Sequence, residues 1–237
     1  MGKQRKRTTN GAKFALNESH FDLVDISPIT DSQRKVFEYF DQGKHLFLHG
    51  VAGTGKTYIS LFLAIREILE YGPKYRNLCI VRSIVPTRDI GFLPGTEDQK
   101  MEVYEAPYKS TFTNLFCRGD AYELMKKKGA VNFMTTSFIR GVTLDDTIVI
   151  VDECQNLNFH ELDSVITRLG NNSRIIFCGD FRQSDFRKTD DRTGIIKFMN
   201  IIKNIPDVGF VEFDESDIVR SHFVKEYIIS KLRAGIV

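Results

Sequence analysis

Cysteine is scarce and unpatterned in this sequence: the four residues stand at 79, 117, 154 and 178, with no C-x-x-C pair and no histidine at ligand spacing. That argues against a zinc site or a disulfide framework and for thiols kept reduced in a cytoplasm. Long apolar runs are missing as well. Nothing approaches the roughly 18 consecutive apolar residues of a spanning helix. The basic start runs into Thr8-Thr9-Asn10-Gly11 rather than a hydrophobic signal core, so secretion and membrane insertion are disfavoured. Met1-Gly2 opens like a myristoylation site, but Lys6 stands where Ser or Thr is required. The bulk of the chain also lacks a basic surplus. Formal net charge is +2, yet residues 1–17 hold Lys3, Arg5, Lys6, Arg7 and Lys13 and no acid, which leaves the remainder negative. Nucleic acid would have to be met through a local patch or through this arm. The other reading of residues 1–17 is a disordered, solubilising tail.

What is there is ordinary for a globular domain. The 237 residues, 42% hydrophobic and 27% charged, suffice for one sizeable core and not for two full lobes, so residues 18–237 read as one domain. Ser27-Pro28-Ile29-Thr30 is a turn into a helix over 31–41, capped by Thr30 or Asp31. Short Ile- and Val-rich runs at 45–49, 78–81, 147–151, 174–178 and 209–213 lack polar alternation and predict strands buried on both faces, hence a parallel sheet. Helical patterns at 56–70, 159–169, 193–203 and 221–233 fall between them, which is the α/β signature. The first is apolar almost all round and predicts a central helix. Residues 83–146 read as the least regular stretch, broken by Pro86, Gly91, Pro94, Gly95 and Pro107.

Three motifs carry chemistry. Gly50-Val51-Ala52-Gly53-Thr54-Gly55-Lys56-Thr57 fits G-x-x-x-x-G-K-[ST] between a strand and a long helix. Its glycines let backbone N–H groups wrap a phosphate, and the helix N-terminus adds partial positive charge. Lys56 should reach the β and γ phosphates and Thr57 should offer its hydroxyl to Mg²⁺. The second motif is a hydrophobic strand ending in Asp152-Glu153. Asp152 is suited to holding the water shell of Mg²⁺ and Glu153 to polarising an attacking water. A small-molecule kinase has less need of the second acid than a motor ATPase does. In the third, Gly179-Asp180-Phe181-Arg182-Gln183, the strand before the loop should lie beside the one carrying Asp152. Gln183 would then sense the γ phosphate or orient the water.

Gly50 to Thr57, Arg82-Ser83-Ile84-Val85-Pro86 through Gly91-Phe92-Leu93-Pro94-Gly95, Asp152-Glu153-Cys154-Gln155-Asn156, Thr167-Arg168-Leu169-Gly170, Gly179-Asp180-x-x-Gln183 and Asp217-Ile218-Val219-Arg220 stand in an order that resembles PhoH-like proteins. These are ATPases related to the first motor lobe of superfamily 1 helicases, with compact members in bacteriophages. The likeness spans about 27–233. It implies an α/β, RecA-like P-loop NTPase fold of a single motor lobe, ATP and Mg²⁺ as ligands, and the roles given above for Lys56, Thr57, Asp152, Glu153 and Gln183. It also makes Gln33 the glutamine that reads adenine, and it expects a small thiol at Cys154 to be tolerated where alanine is common.

Helicase-like lobes track a single strand of RNA or DNA along the carboxyl edge of the sheet. Arg82, Arg88, Lys100, Lys109, Arg140 and Lys126-Lys127-Lys128, interleaved with Phe92, Phe112 and Phe116, are the candidates for that contact. The rival function is an ATP-driven switch or assembly protein acting on protein partners. In such helicases a second lobe supplies an arginine to the γ phosphate, and the stretch after Gln183 is too short for one. A ring of six copies is therefore expected, with Arg220 or Arg168 acting in trans.

Overall fold

The computed structural model describes residues 21–70, 74–83, 97–180 and 189–235. The chain runs α1 (Asp31–Asp41), β1 (His45–Gly50), α2 (Lys56–Glu70), β2 (Asn77–Arg82), α3 (Glu97–Phe116), α4 (Ala121–Lys127), β3 (Val131–Thr135), β4 (Thr147–Asp152), α5 (Phe159–Ile166), β5 (Arg174–Gly179), α6 (Thr189–Lys203), β6 (Val208–Phe213) and α7 (His222–Arg233). The six strands form one sheet in the order β3-β2-β4-β5-β1-β6, and every pairing is parallel. Parallel neighbours need crossovers, and the helices supply them.

Alternation along the strands explains the layers. Leu46, Leu48, Ile148, Ile150 and Ile176 point to one face, where α1, α2, α3 and α4 pack. Phe47, Val149, Val151, Ile175 and Phe177 point to the other, under α5 and α6. Both faces of β1, β4 and β5 are thus apolar, which accounts for their unbroken hydrophobic runs. Each large side chain so buried contributes about 1.5–3 kcal/mol. Among the described helices none is long and apolar enough to cross a membrane.

Thr30 caps α1 by accepting from the Gln33 N–H at 3.2 Å. The other end of α1 is tied down by a buried cation. Arg174 donates through Nε to the Lys44 carbonyl at 2.7 Å, donates to the Phe40 carbonyl and lies 3.6 Å over the Phe40 ring. It thereby adds a second donor to the Phe40 carbonyl, which already accepts from the Gly43 N–H at 3.0 Å.

Five elements depart from expectation. Residues 83–146, expected to be irregular, contain the 20-residue α3, α4 and the edge strand β3. Pro107 lies inside α3 and only removes one N–H from its ladder. The apolar stripe Met101, Tyr104, Tyr108, Phe112, Leu115 and Phe116 keeps helical spacing through it and packs on the core. Strand β3 alternates buried and exposed residues, as an edge strand does, and so lacks the continuous run of the central strands. Helix α6 starts at Thr189, ahead of its periodic apolar segment, and α5 stops at Ile166.

Candidate functional site

The carboxyl ends of β1, β4 and β5 open into a cleft of about 940 Å³. Its floor is the loop after β1. Gly50 has φ +122°, and a Cβ there would stand 2.0 Å from the Phe213 carbonyl oxygen. That oxygen accepts from the Val51 N–H at 3.1 Å, so only glycine lets the loop pass this close to β6. Gly50→Ala is expected to destabilise the fold by about 1–3 kcal/mol through strain and backbone displacement; thermal melting measures it, and an unchanged midpoint would refute the close approach.

Lys56, the first residue of α2, turns back into the loop. Its Nζ donates to the carbonyls of Gly50 at 2.9 Å and Val51 at 2.8 Å and to Thr54 Oγ1 at 3.3 Å. Burial pulls the ammonium pKa below its ordinary value, opposed by the charges of Asp180 and Glu153. The first turn of α2 carries no acid, so its N–H groups and partial positive charge are left for an anion. A buried cation solvated by carbonyls beside a bare helix N-terminus suits a phosphate.

Thr57 Oγ1 donates to Asp152 Oδ1 at 2.7 Å, joining the start of α2 to the end of β4 across β5. A hydroxyl and a carboxylate are hard oxygen donors that fit Mg²⁺ completed by water and phosphate. The described residues contain no cluster of three His, Cys, Asp or Glu side chains able to hold a metal by themselves. Glu153 follows in the left-handed region, φ 50° and ψ 40°, sparsely populated for a residue with a side chain. It heads the short 3-10 turn Cys154–Asn156. Gln155, buried, donates to Glu153 Oε2 at 2.5 Å and accepts from the Asp180 N–H at 3.1 Å. One amide thus braces the second acid against the end of β5. Gly179 makes room: a Cβ there would lie 2.6 Å from Cys154 Sγ and 2.7 Å from Gln155 Oε1. The fully buried Cys154 thiol fits as expected, and burial pushes its pKa up.

At the other end of the cleft Gln33 is buried. It donates to the Thr54 carbonyl at 3.1 Å and accepts from the Ile29 N–H at 2.9 Å, clamping the loop to the segment before α1. The structure therefore brings Gln33, the loop from Ala52 to Thr57, Asp152 and Glu153 into one cleft, while Val51 packs in the core beneath it. Gln183 lies outside the described residues, as do Arg88 and Phe92.

The two arginines part company. Arg220 packs against its own chain's loop, where a Cβ on Gly53 would meet Arg220 Cγ at 3.1 Å. The Val219 N–H donates to the Gly53 carbonyl at 3.0 Å and holds this segment on the loop, so Arg220 lines the cleft in cis. Arg168 follows α5 at the opposite edge of the sheet. Its carbonyl accepts from the Leu144 N–H ahead of β4, and its Nε is buried with no hydrogen-bond partner among the described residues.

Four of the candidate strand-tracking residues are engaged elsewhere. Lys109 pairs with Glu102 at 3.3 Å and Glu123 at 2.7 Å, and Lys126 with the buried Glu105 at 2.7 Å. Phe112 and Phe116 are core. Arg82 lines the cleft, opposite Asp152 in the register of β2 and β4. Arg140 remains exposed, beside the half-exposed Phe138. Sequence reasoning gives no role to Tyr108 or Gln155. Gln155 lies within the acidic motif, whereas Tyr108 has only its place in the α3 stripe to mark it.

An all-parallel sheet, a glycine loop opening α2 and an acid-tipped strand joined to that loop define a RecA-like P-loop NTPase fold. A family model described as "PhoH-like protein" matches residues 25–231, and the chain belongs to that family. It is similar to a PhoH-like protein of Bacillus subtilis (strain 168), 30% identical over 199 residues, covering 84% of this chain and 61% of the relative. It is also similar to Protein PhoH of Escherichia coli (strain K12), 29% identical over 205 residues, covering 84% and 57%. The chain thus spans about 60% of these curated relatives' length. Among solved structures, the large terminase of a thermophilic bacteriophage aligns with a TM-score of 0.48 at 11% identity, covering 85% of this chain and 50% of that one.

Proposed function

We propose that this protein is a Mg²⁺-dependent ATPase that couples hydrolysis to binding and remodelling of single-stranded RNA or DNA, working as a ring of six copies. The observation that carries the hydrolytic part is the convergence of Lys56, the Thr57–Asp152 pair and Glu153 in one cleft. Bound at Thr57 and Asp152, Mg²⁺ would neutralise charge on the phosphate oxygens. Lys56 exchanges its loop carbonyls for phosphate, which returns the counter-charge that burial denies it. Glu153, braced by Gln155, accepts the proton of the attacking water, and Gln183 orients that water. Gln33 flanks the base and reads adenine by giving up its bond to Thr54 or its bond to Ile29.

Support for nucleic acid is narrower than the run of candidate residues in the sequence suggests. It rests on Arg140 and Phe138 at the carboxyl end of β3, an exposed cation beside an aromatic face, and on the arm of residues 1–17, outside the described residues. The protein-partner reading is favoured by α7, whose Phe223 and Tyr227 stand exposed one turn apart. The trans arginine of the ring is Arg220, which lines the cleft of its own chain, or Arg168.

The test is phosphate release measured with and without single-stranded RNA or DNA. The proposal expects stimulation that weakens as salt rises. An unchanged rate at saturating polymer would move the function to protein partners.

A further inference from the structure

We infer that Tyr108 is a positioning residue for the metal-side carboxylate Asp152, so that helix α3, which carries none of the nucleotide motifs, sets how well the site holds its divalent cation. The inference rests on the reading of the cleft as a Mg²⁺–nucleotide site. Tyr108 is buried, and its hydroxyl donates to Asp152 Oδ2 at 2.7 Å. Thr57 takes Oδ1 at the same distance. Both carboxylate oxygens are therefore held by hydroxyl donors from two different helices, which fixes the plane of the carboxylate and the direction of the lone pairs left for a cation's water shell.

The donor is itself immobile. The Tyr108 ring lies 5.8 Å from the Phe133 ring of β3, and the stripe of α3 below it is core. A phenol keeps its proton at neutral pH, so the hydroxyl is a donor to the carboxylate. Partners that orient a metal-holding carboxylate act through it, and their loss typically weakens metal affinity about 10- to 100-fold.

Tyr108→Phe keeps the ring and removes only the hydroxyl. The experiment is equilibrium binding of a non-hydrolysable ATP analogue at increasing Mg²⁺, with the melting temperature followed in parallel. Tyr122→Phe, a buried tyrosine of the neighbouring α4, serves as control. The expected result is a Mg²⁺ requirement raised about 10-fold or more in Tyr108→Phe, with Mg²⁺-free nucleotide affinity and melting unchanged, and no shift in Tyr122→Phe. A wild-type Mg²⁺ requirement in Tyr108→Phe would overturn the inference. So would a parallel loss of Mg²⁺-free affinity and melting temperature, which marks a merely structural tyrosine. Nucleotide binding by the wild-type chain that ignores Mg²⁺ altogether would instead overturn the reading of the site itself.

Discussion

Lys56→Ala is expected to reduce ATP turnover by at least about 10²–10³-fold while the protein stays folded. Lys56 is the only cation in Gly50 to Thr57, and its three loop contacts place Nζ where a phosphate oxygen can take over from the carbonyls. Without it the phosphates keep the helix N-terminus but lose their fixed counter-ion. The fold should tolerate the change because the ammonium is buried at a cost in desolvation, and the loop remains anchored by Gln33, Val51 and Val219. Phosphate release and thermal melting together check it. Near-normal turnover by a folded variant would remove the phosphate-loop assignment.

Glu153→Gln should separate binding from chemistry. The amide preserves the size of the side chain, and its oxygen can still accept from Gln155, so the brace between β4 and β5 survives. It cannot accept a proton. Turnover should fall about 10²–10⁴-fold while Mg²⁺–ATP still binds with wild-type affinity. Loss of binding instead would make Glu153 a metal or structural group, and Asp152 with Thr57 would not suffice to hold the cation.

The parts of this site legible in the sequence are those whose chemistry is local. Three glycines, a lysine and a threonine between a strand and a helix can hardly serve another purpose, and four apolar residues ahead of Asp152 place that acid at a strand end. Gln33, Gln155 and Tyr108 are harder, because each acts through a contact made only in the folded chain. Gln33 reaches 21 residues along the chain to Thr54, and Tyr108 reaches 44 residues to Asp152. Pro107 also masks the helix that carries Tyr108, since a segment read by its breakers gives one missing N–H more weight than a full apolar stripe. The lysines mislead for a related reason. Lys109 and Lys126 look free in sequence, but helical spacing and the packing of α3 on α4 bring acids to them. Nothing in the local sequence of Arg220 shows that Val219 folds back onto Gly53.

We propose that this cleft hydrolyses ATP with a divalent cation held at Thr57 and Asp152. Release of inorganic phosphate from ATP by the intact chain, measured in Mg²⁺ and again in excess EDTA, tests it most directly. Steady release in Mg²⁺ that EDTA abolishes is the predicted result. Folded protein that binds ATP but releases no phosphate with Mg²⁺, or releases it equally in EDTA, would contradict the account.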